Sequence, residues 1–246
     1  MWVSDEAMLN HSLEEAKVVL KQDKKFYVFA QTIAPHFPFV ELEGKYQNQH
    51  NRIDFPNISD KFENYLNQIN YNDKIITDFL LKAQMELPNT VFIIYGDHGN
   101  TLSKLEFEKL YNKKMTELEY RKFMLEIPVI IYDPSGKINN YLETNLIDIS
   151  YMKSRTLSQI DIFSTIKSLY NLNSEYTLGV DMFSEEYSFS IDPKVLDIIT
   201  DDFMYNLKNN SYYLKDISYD EMLVIVGAIK DFKLENDAHL TKKIGS

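Results

Sequence analysis

The chain has 246 residues and a mass of 29.0 kDa, with 44% hydrophobic and 26% charged residues, so it can bury a substantial core and has the composition of a folded protein. Its 37 acidic against 26 basic residues give a net charge of −11, which repels nucleic-acid backbones and makes a nucleic-acid partner untenable. The absence of cysteine excludes disulfide frameworks, zinc–thiolate sites and cysteine nucleophiles.

Neither a basic, apolar leader nor a run of roughly 18 apolar residues occurs, so no signal and no membrane span are expected in these residues. The apolar spacing from about Asp5 to Lys21 predicts an amphipathic helix. The short apolar run Phe26 to Ile33 follows and predicts a buried strand. From Ala34 to Asn57, three prolines and many polar residues predict a long loop, and such loops often carry function. Phe62, Tyr65, Leu66, Ile69, Ile76, Phe79, Leu80 and Ala83 recur at threes and fours, which predicts a helix over Ser59 to Met85. A second buried strand is expected at Thr90–Tyr95. A helical pair is expected from Ser103 to Leu125, with a capping box at Thr116–Glu119, and a third strand at Ile127–Tyr132. Another helix is predicted from Ser158 to Tyr170. Short β pieces follow near Tyr187–Ile191 and Leu196–Tyr205, then a last helix from the capping box Ser218–Glu221 and a frayed polar tail.

Strands alternating with long helices predict an α/β fold whose central sheet is largely parallel and flanked by helices, with a small C-terminal α+β region. The division falls between residues 1–184 and 185–246.

The sharpest chemical signal is Gly96-Asp97-His98-Gly99, directly after the second strand, because ligand sites in open α/β sheets lie at the carboxyl ends of strands. A carboxylate beside an imidazole suits Mn, Zn, Fe or Mg, and flanking glycines let the backbone turn so that both side chains converge. The alternative is a tight turn with an incidental acid and histidine. Pro35-His36-Phe37-Pro38-Phe39 lies after the first strand, so His36 would share a crevice with Asp97 and His98 if the two strands neighbour each other. The competing reading packs His36 against the phenylalanines for purely structural reasons. His11, His50 and His239 read as solvated surface residues. No phosphate loop, Gly-x-Ser-x-Gly elbow or His-Glu-x-x-His helix occurs.

Taken in order, His36-Phe37-Pro38-Phe39, Tyr71-x-Asp73, Gly96-Asp97-His98-Gly99, Glu126–Tyr132, Ser158–Ile166 and Leu178-Gly179-Val180-Asp181 resemble the C-terminal part of the lipoteichoic acid synthase family. That family lies within the sulfatase/alkaline phosphatase-like superfamily, and the resemblance covers about residues 2–184. It implies a metal-dependent, typically manganese-using phosphoglycerol transferase, with magnesium or zinc as alternative metals. Asp97 and His98 would bind the metal and His36 the substrate phosphate or glycerol. Phosphatidylglycerol or polyglycerol phosphate would be the substrate, and the complete family protein is membrane-anchored with an extracellular catalytic domain. Trp2-Val3-Ser4-Asp5 resembles an internal Trp-Gly-x-x-Asp segment, with Val3 where glycine is usual. The family's nucleophilic threonine lies upstream of that segment, so the N-terminal part of the domain is expected to be missing. No catalytic nucleophile can be assigned here, and the chain alone is expected to be inactive. Two other readings remain: a non-catalytic module that binds phosphoglycerol or glycans or associates through an uncovered sheet edge, and a sulfatase acting on sulfate esters.

Overall fold

A computed structural model describes residues 4–39, 52–99, 102–174, 178–192 and 194–244, with side chains to residue 237. The chain divides at Gly136 into two units. In the first, α1 (Asp5–Leu20) starts at Ser4, whose hydroxyl accepts the Ala7 N–H, and α2 (Asp60–Glu86) starts in the same way at Ser59. Leu13 and Ala16 of α1 pack with Ala83 and Leu87 at the end of α2, and a Lys17–Glu86 ion pair joins the same two helices. A second cluster gathers Phe39, Phe62, Leu102 and Phe107.

Strands β1 (Phe92–Tyr95) and β2 (Val129–Tyr132) are joined through α3 (Lys104–Tyr111) and α4 (Glu117–Leu125). Both helices open with complete capping boxes, Ser103 with Glu106 and Thr116 with Glu119. The Thr116 N–H, the Lys113 ammonium and the Thr116 hydroxyl together hold the Glu119 carboxyl down to about 2.

The α/β class stands, but the strand pairing differs from the expectation. β1 and β2 pair antiparallel, with Phe92 opposite Tyr132 and Tyr95 opposite Val129. One helix between two strands carries the chain back to its starting end and makes them parallel. Two helices return it to the end it left, so β2 runs opposite to β1.

The strand predicted at 26–33 is the second correction. This segment is extended and belongs to no ladder among the described residues, and Tyr27 and Phe29 are 78% and 65% exposed. An apolar run shows that a segment can be buried but does not supply the neighbour whose amides and carbonyls a strand needs. What holds the segment is Asp5. Its buried carboxylate accepts the N–H groups of Ile33 (2.9 Å) and Ala34 (2.8 Å). Charge-assisted hydrogen bonds of this kind contribute about 1.5–3 kcal/mol each. Asp5→Ala is therefore expected to speed amide exchange at Ile33 and Ala34 by at least about tenfold. Unchanged exchange would mean that Asp5 does not pin the segment.

The second unit holds two helices that the sequence reading missed, α5 (Lys137–Thr144) and α6 (Ile149–Ser154), followed by α7 (Ile160–Tyr170). Beyond them an antiparallel sheet runs in the order β3 (Ser190–Ile191), β4 (Asp197–Ile199), β5 (Phe203–Asn206) and β6 (Tyr212–Leu214). The last helix, α8 (Tyr219–Ile244), lays Met222, Val226 and Ile229 against Ile198, Phe203 and Tyr205. It starts at the expected capping box, where the Ser218 hydroxyl accepts the Glu221 N–H and the Glu221 carboxylate accepts the Ser218 N–H. It continues to Ile244, so the polar tail expected to fray is helical to that point. Residues 40–51 of the predicted loop lie outside the described residues.

Candidate metal and phosphate site

The turn carrying Asp97 and His98 begins where the β1–β2 ladder ends, at the Gly96 N–H bond to the Pro128 carbonyl (3.1 Å). The flanking glycines serve close approach rather than a left-handed bend, since neither has a positive φ. A Cβ on Gly99 would lie 1.8 Å from the Met124 carbonyl oxygen. A Cβ on Gly96 would meet the Ile127 side chain at 3.0 Å. The turn is therefore pressed against the end of α4, which fixes where its side chains emerge.

They emerge into solvent. The Asp97 and His98 side chains are 55% and 56% exposed, and His98 Nε2 stands 3.8 Å from Asp97 Oδ2. That separation is within the reach of two ligand bonds of roughly 2.0–2.2 Å to one ion. His98 Nδ1 lies 2.7 Å from the Gly99 carbonyl oxygen. Only a protonated nitrogen can bond a carbonyl, so Nδ1 donates and the Nε2 lone pair faces outward in the neutral ring. His36 repeats this arrangement, with Nδ1 2.7 Å from the Phe37 carbonyl oxygen.

His36 reaches the site from the other side. Its ring centroid is 6.3 Å from that of His98, at 80°. Phe39 anchors the loop, buried against Tyr65 with ring centroids 4.9 Å apart, whereas His36 and Phe37 are exposed. Packing against aromatics thus explains Phe39 and not His36. The Lys61 ammonium lies over both phenylalanine rings, 5.1 Å from Phe37 and 5.8 Å from Phe39, which places a cation beside the loop.

The structure thus brings His36, Asp97 and His98 to one face although His36 lies on no strand. Of the three histidines read as surface, His11 is exposed, while His50 and the His239 side chain lie outside the described residues. Sequence reasoning missed Gln31, whose amide donates to Asp97 Oδ2 at 3.0 Å. The available signal was a lone amide inside an otherwise apolar run.

A carboxylate oxygen beside an imidazole nitrogen fits a hard or borderline divalent cation. Among the described residues no group of three or more acidic, histidine or cysteine side chains converges.

Ser158–Ile166 and Leu178–Asp181 serve a structural purpose in the second unit. Asp161, 1% exposed, accepts the Ser158 N–H (2.7 Å), the Val180 N–H (2.9 Å) and the Ser188 hydroxyl (2.8 Å). The Thr165 hydroxyl donates to the Asp161 carbonyl and accepts the Met182 N–H, both at 2.8 Å. The Ser164 hydroxyl reaches the carbonyls of Leu178 and Gly179. Three polar side chains of α7 therefore clamp one returning loop.

Residues 1–172 match the family model for sulfatases. The chain is 27% identical over 222 residues to the lipoteichoic acid synthases of Staphylococcus aureus strains USA300 and NCTC 8325, an alignment covering 82% of this chain and 31% of each relative. The crystal structure of the lipoteichoic acid synthase LtaP from Listeria monocytogenes superposes with a TM-score of 0.66 at 19% identity, covering 88% of this chain and 54% of that one. A protein in the alkaline phosphatase superfamily from Vibrio parahaemolyticus superposes with a TM-score of 0.53 at 18% identity, covering 89% and 51%. The chain spans about a third of the length of these curated relatives and about half of these solved structures. Its α/β fold is of the alkaline phosphatase/sulfatase type. The ordered motifs and this match over well above half of its length lead to one assignment: the chain belongs to the sulfatase family, with lipoteichoic acid synthases among its relatives.

Proposed function

We propose that this chain contributes the cation- and phosphate-binding portion of a metal-dependent, phosphoglycerol-handling enzyme of the sulfatase family. The observation that carries this reading is the approach of His36 to His98, 6.3 Å between ring centroids, beside the Asp97 carboxylate. Asp97 and His98 hold a divalent cation, manganese before magnesium or zinc. When bound, the cation polarises a phosphoryl oxygen and offsets the charge that builds there. His36, with Nδ1 donating to the Phe37 carbonyl, offers Nε2 as acceptor to a glycerol hydroxyl in the neutral ring, and as donor to a phosphate oxygen in the protonated ring. The substrate is phosphatidylglycerol or polyglycerol phosphate, handled outside the cell by a membrane-anchored protein whose sulfatase-like portion includes residues 1–184 of this chain. No helix among the described residues is long and apolar enough to cross a membrane.

Two ligands make an incomplete catalytic centre, since such sites supply three or more from protein. The 246 residues by themselves are therefore expected to bind rather than to turn over, which keeps the binding-module reading beside the enzymatic one. Titration of the purified chain with Mn²⁺, followed by electron paramagnetic resonance, tests the assignment. Asp97→Ala is expected to weaken binding about tenfold or more, because losing a ligand costs at least as much as losing the group behind it. His36→Ala is expected to spare Mn²⁺ and weaken glycerol phosphate. Identical Mn²⁺ binding in wild type and Asp97→Ala would sink the reading. Tighter binding of a methyl sulfate ester than of glycerol phosphate would favour sulfatase chemistry. Release of phosphoglycerol from a lipid analogue by the chain alone, abolished by Asp97→Ala, would overturn the expectation of inactivity.

A further inference from the structure

We propose that Gln31 is the positioning residue for the Asp97 carboxylate, selecting which part of that carboxylate meets the cation. The inference rests on the metal-binding reading and adds a residue to it. Gln31 Nε2 donates to Asp97 Oδ2 at 3.0 Å across 66 positions of sequence. The same oxygen is the one 3.8 Å from His98 Nε2. A carboxylate oxygen has two lone pairs, so an amide N–H and an ion can share one oxygen from different directions. Carboxylates that ligate metals are held in this way by outer hydrogen bonds, and removing such a partner typically lowers metal affinity by about 10–100-fold.

The Asp97 side chain is more than half exposed, on a turn whose backbone is fixed by the close approach of Gly99 to Met124, so its direction is set by hydrogen bonds rather than by burial. Gln31 itself is exposed, so packing does not account for its direction. Its backbone is located two residues later, where Asp5 takes the amides of Ile33 and Ala34. The order is then Asp5, the extended segment 26–34, Gln31 and Asp97, each step a hydrogen bond or a short stretch of chain. One segment thereby places both the carboxylate and, two residues past Ala34, the His36 ring.

The experiment is Mn²⁺ titration of the full 246-residue chain by electron paramagnetic resonance, comparing wild type, Gln31→Met, Asp97→Ala and the double variant. Methionine keeps the length of the side chain and removes the donor. The expected result is a dissociation constant about tenfold higher for Gln31→Met with an unchanged melting midpoint. In the Asp97→Ala background, Gln31→Met is expected to change the residual affinity by less than twofold, because the two residues act through one bond. Wild-type affinity in Gln31→Met, or the same loss with and without Asp97, would overturn the role of Gln31 while leaving the metal site standing. Absence of Mn²⁺ binding in the wild type would overturn the metal reading itself, and Gln31 with it.

Discussion

Asp161→Ala is expected to lower the stability of residues 137–246 by about 3–5 kcal/mol, roughly 10 °C or more in melting midpoint. The carboxylate accepts two part-buried backbone N–H groups and a buried hydroxyl, so its removal takes the partner from three donors at once. The loss should appear first as faster amide exchange over 178–188. Asp161→Asn should retain part of the stability, because the amide oxygen still accepts although its NH₂ faces a donor. Gly179→Ala is expected to give the same phenotype by a different route. Gly179 has φ +75°, where an L residue costs about 1–2 kcal/mol, and its Cβ would lie 2.5 Å from Asp161 Oδ1 and 2.6 Å from the Ile160 carbonyl oxygen. The backbone oxygen cannot yield, so the loop must leave α7. A melting midpoint within 2 °C of wild type for either alanine variant would show that the clamp is not what holds this loop.

Gly99→Ala is the second large effect, and it falls on the site rather than on the second unit. The new methyl would sit 1.8 Å from the Met124 carbonyl oxygen, well inside contact distance of a backbone atom at the end of α4. The Asp97–His98 turn must then lift away from α4, carrying both side chains with it. We expect Mn²⁺ binding to fall at least as far as in Asp97→Ala, with a loss of several kcal/mol in the stability of residues 1–136. Gly96→Ala is the milder comparison, because its nearest contacts, Ile127 Cβ and Cγ2 at 3.0 and 3.1 Å, need only a shift of a few tenths of an ångström. It should lose much less. Equal Mn²⁺ affinity in wild type and Gly99→Ala would rule out the close approach as the device that sets the site.

These two glycines differ in a way that the sequence does not display. Both stand in short motifs that resemble the same family, and neither motif tells why its glycine is needed. Gly179 does need its left-handed backbone. Gly99 does not, and is required because another part of the chain, 25 residues away, comes within contact. Chain geometry at one residue cannot reveal a neighbour of that kind.

Helices were legible where a local rule decides them. Periodicity marked α1, α2 and α7, and hydroxyl–carboxylate spacing marked the starts of α4 and α8, because a cap is satisfied within four residues. The short helices α5 and α6 carry too few turns for a period to register. Strand segments β1 and β2 were legible as apolar runs, but their antiparallel pairing was not, since it depends on two intervening helices returning the chain to the same end. The run at 26–33 shows the limit most clearly: its composition is that of a buried strand, yet it stands exposed, tied by the distant carboxylate of Asp5.

The candidate site divides along the same line. The residue types and their order, Asp97 with His98 after a strand and His36 in a proline-bounded loop, were present in the sequence and sufficed to pick out the candidate residues. Their convergence was decided by tertiary structure, through Phe39 in its aromatic pocket, Gly99 against Met124 and Asp5 on the segment leading to His36. Gln31 belongs wholly to that second category. The sequence by itself determined the longer helices, the two capping boxes at Thr116 and Ser218 and the residue types of the candidate site, because each depends on neighbours within a turn or two. Only the tertiary structure decided strand pairing, exposure and the aim of each candidate side chain, because those depend on hydrogen bonds and contacts made across tens of residues.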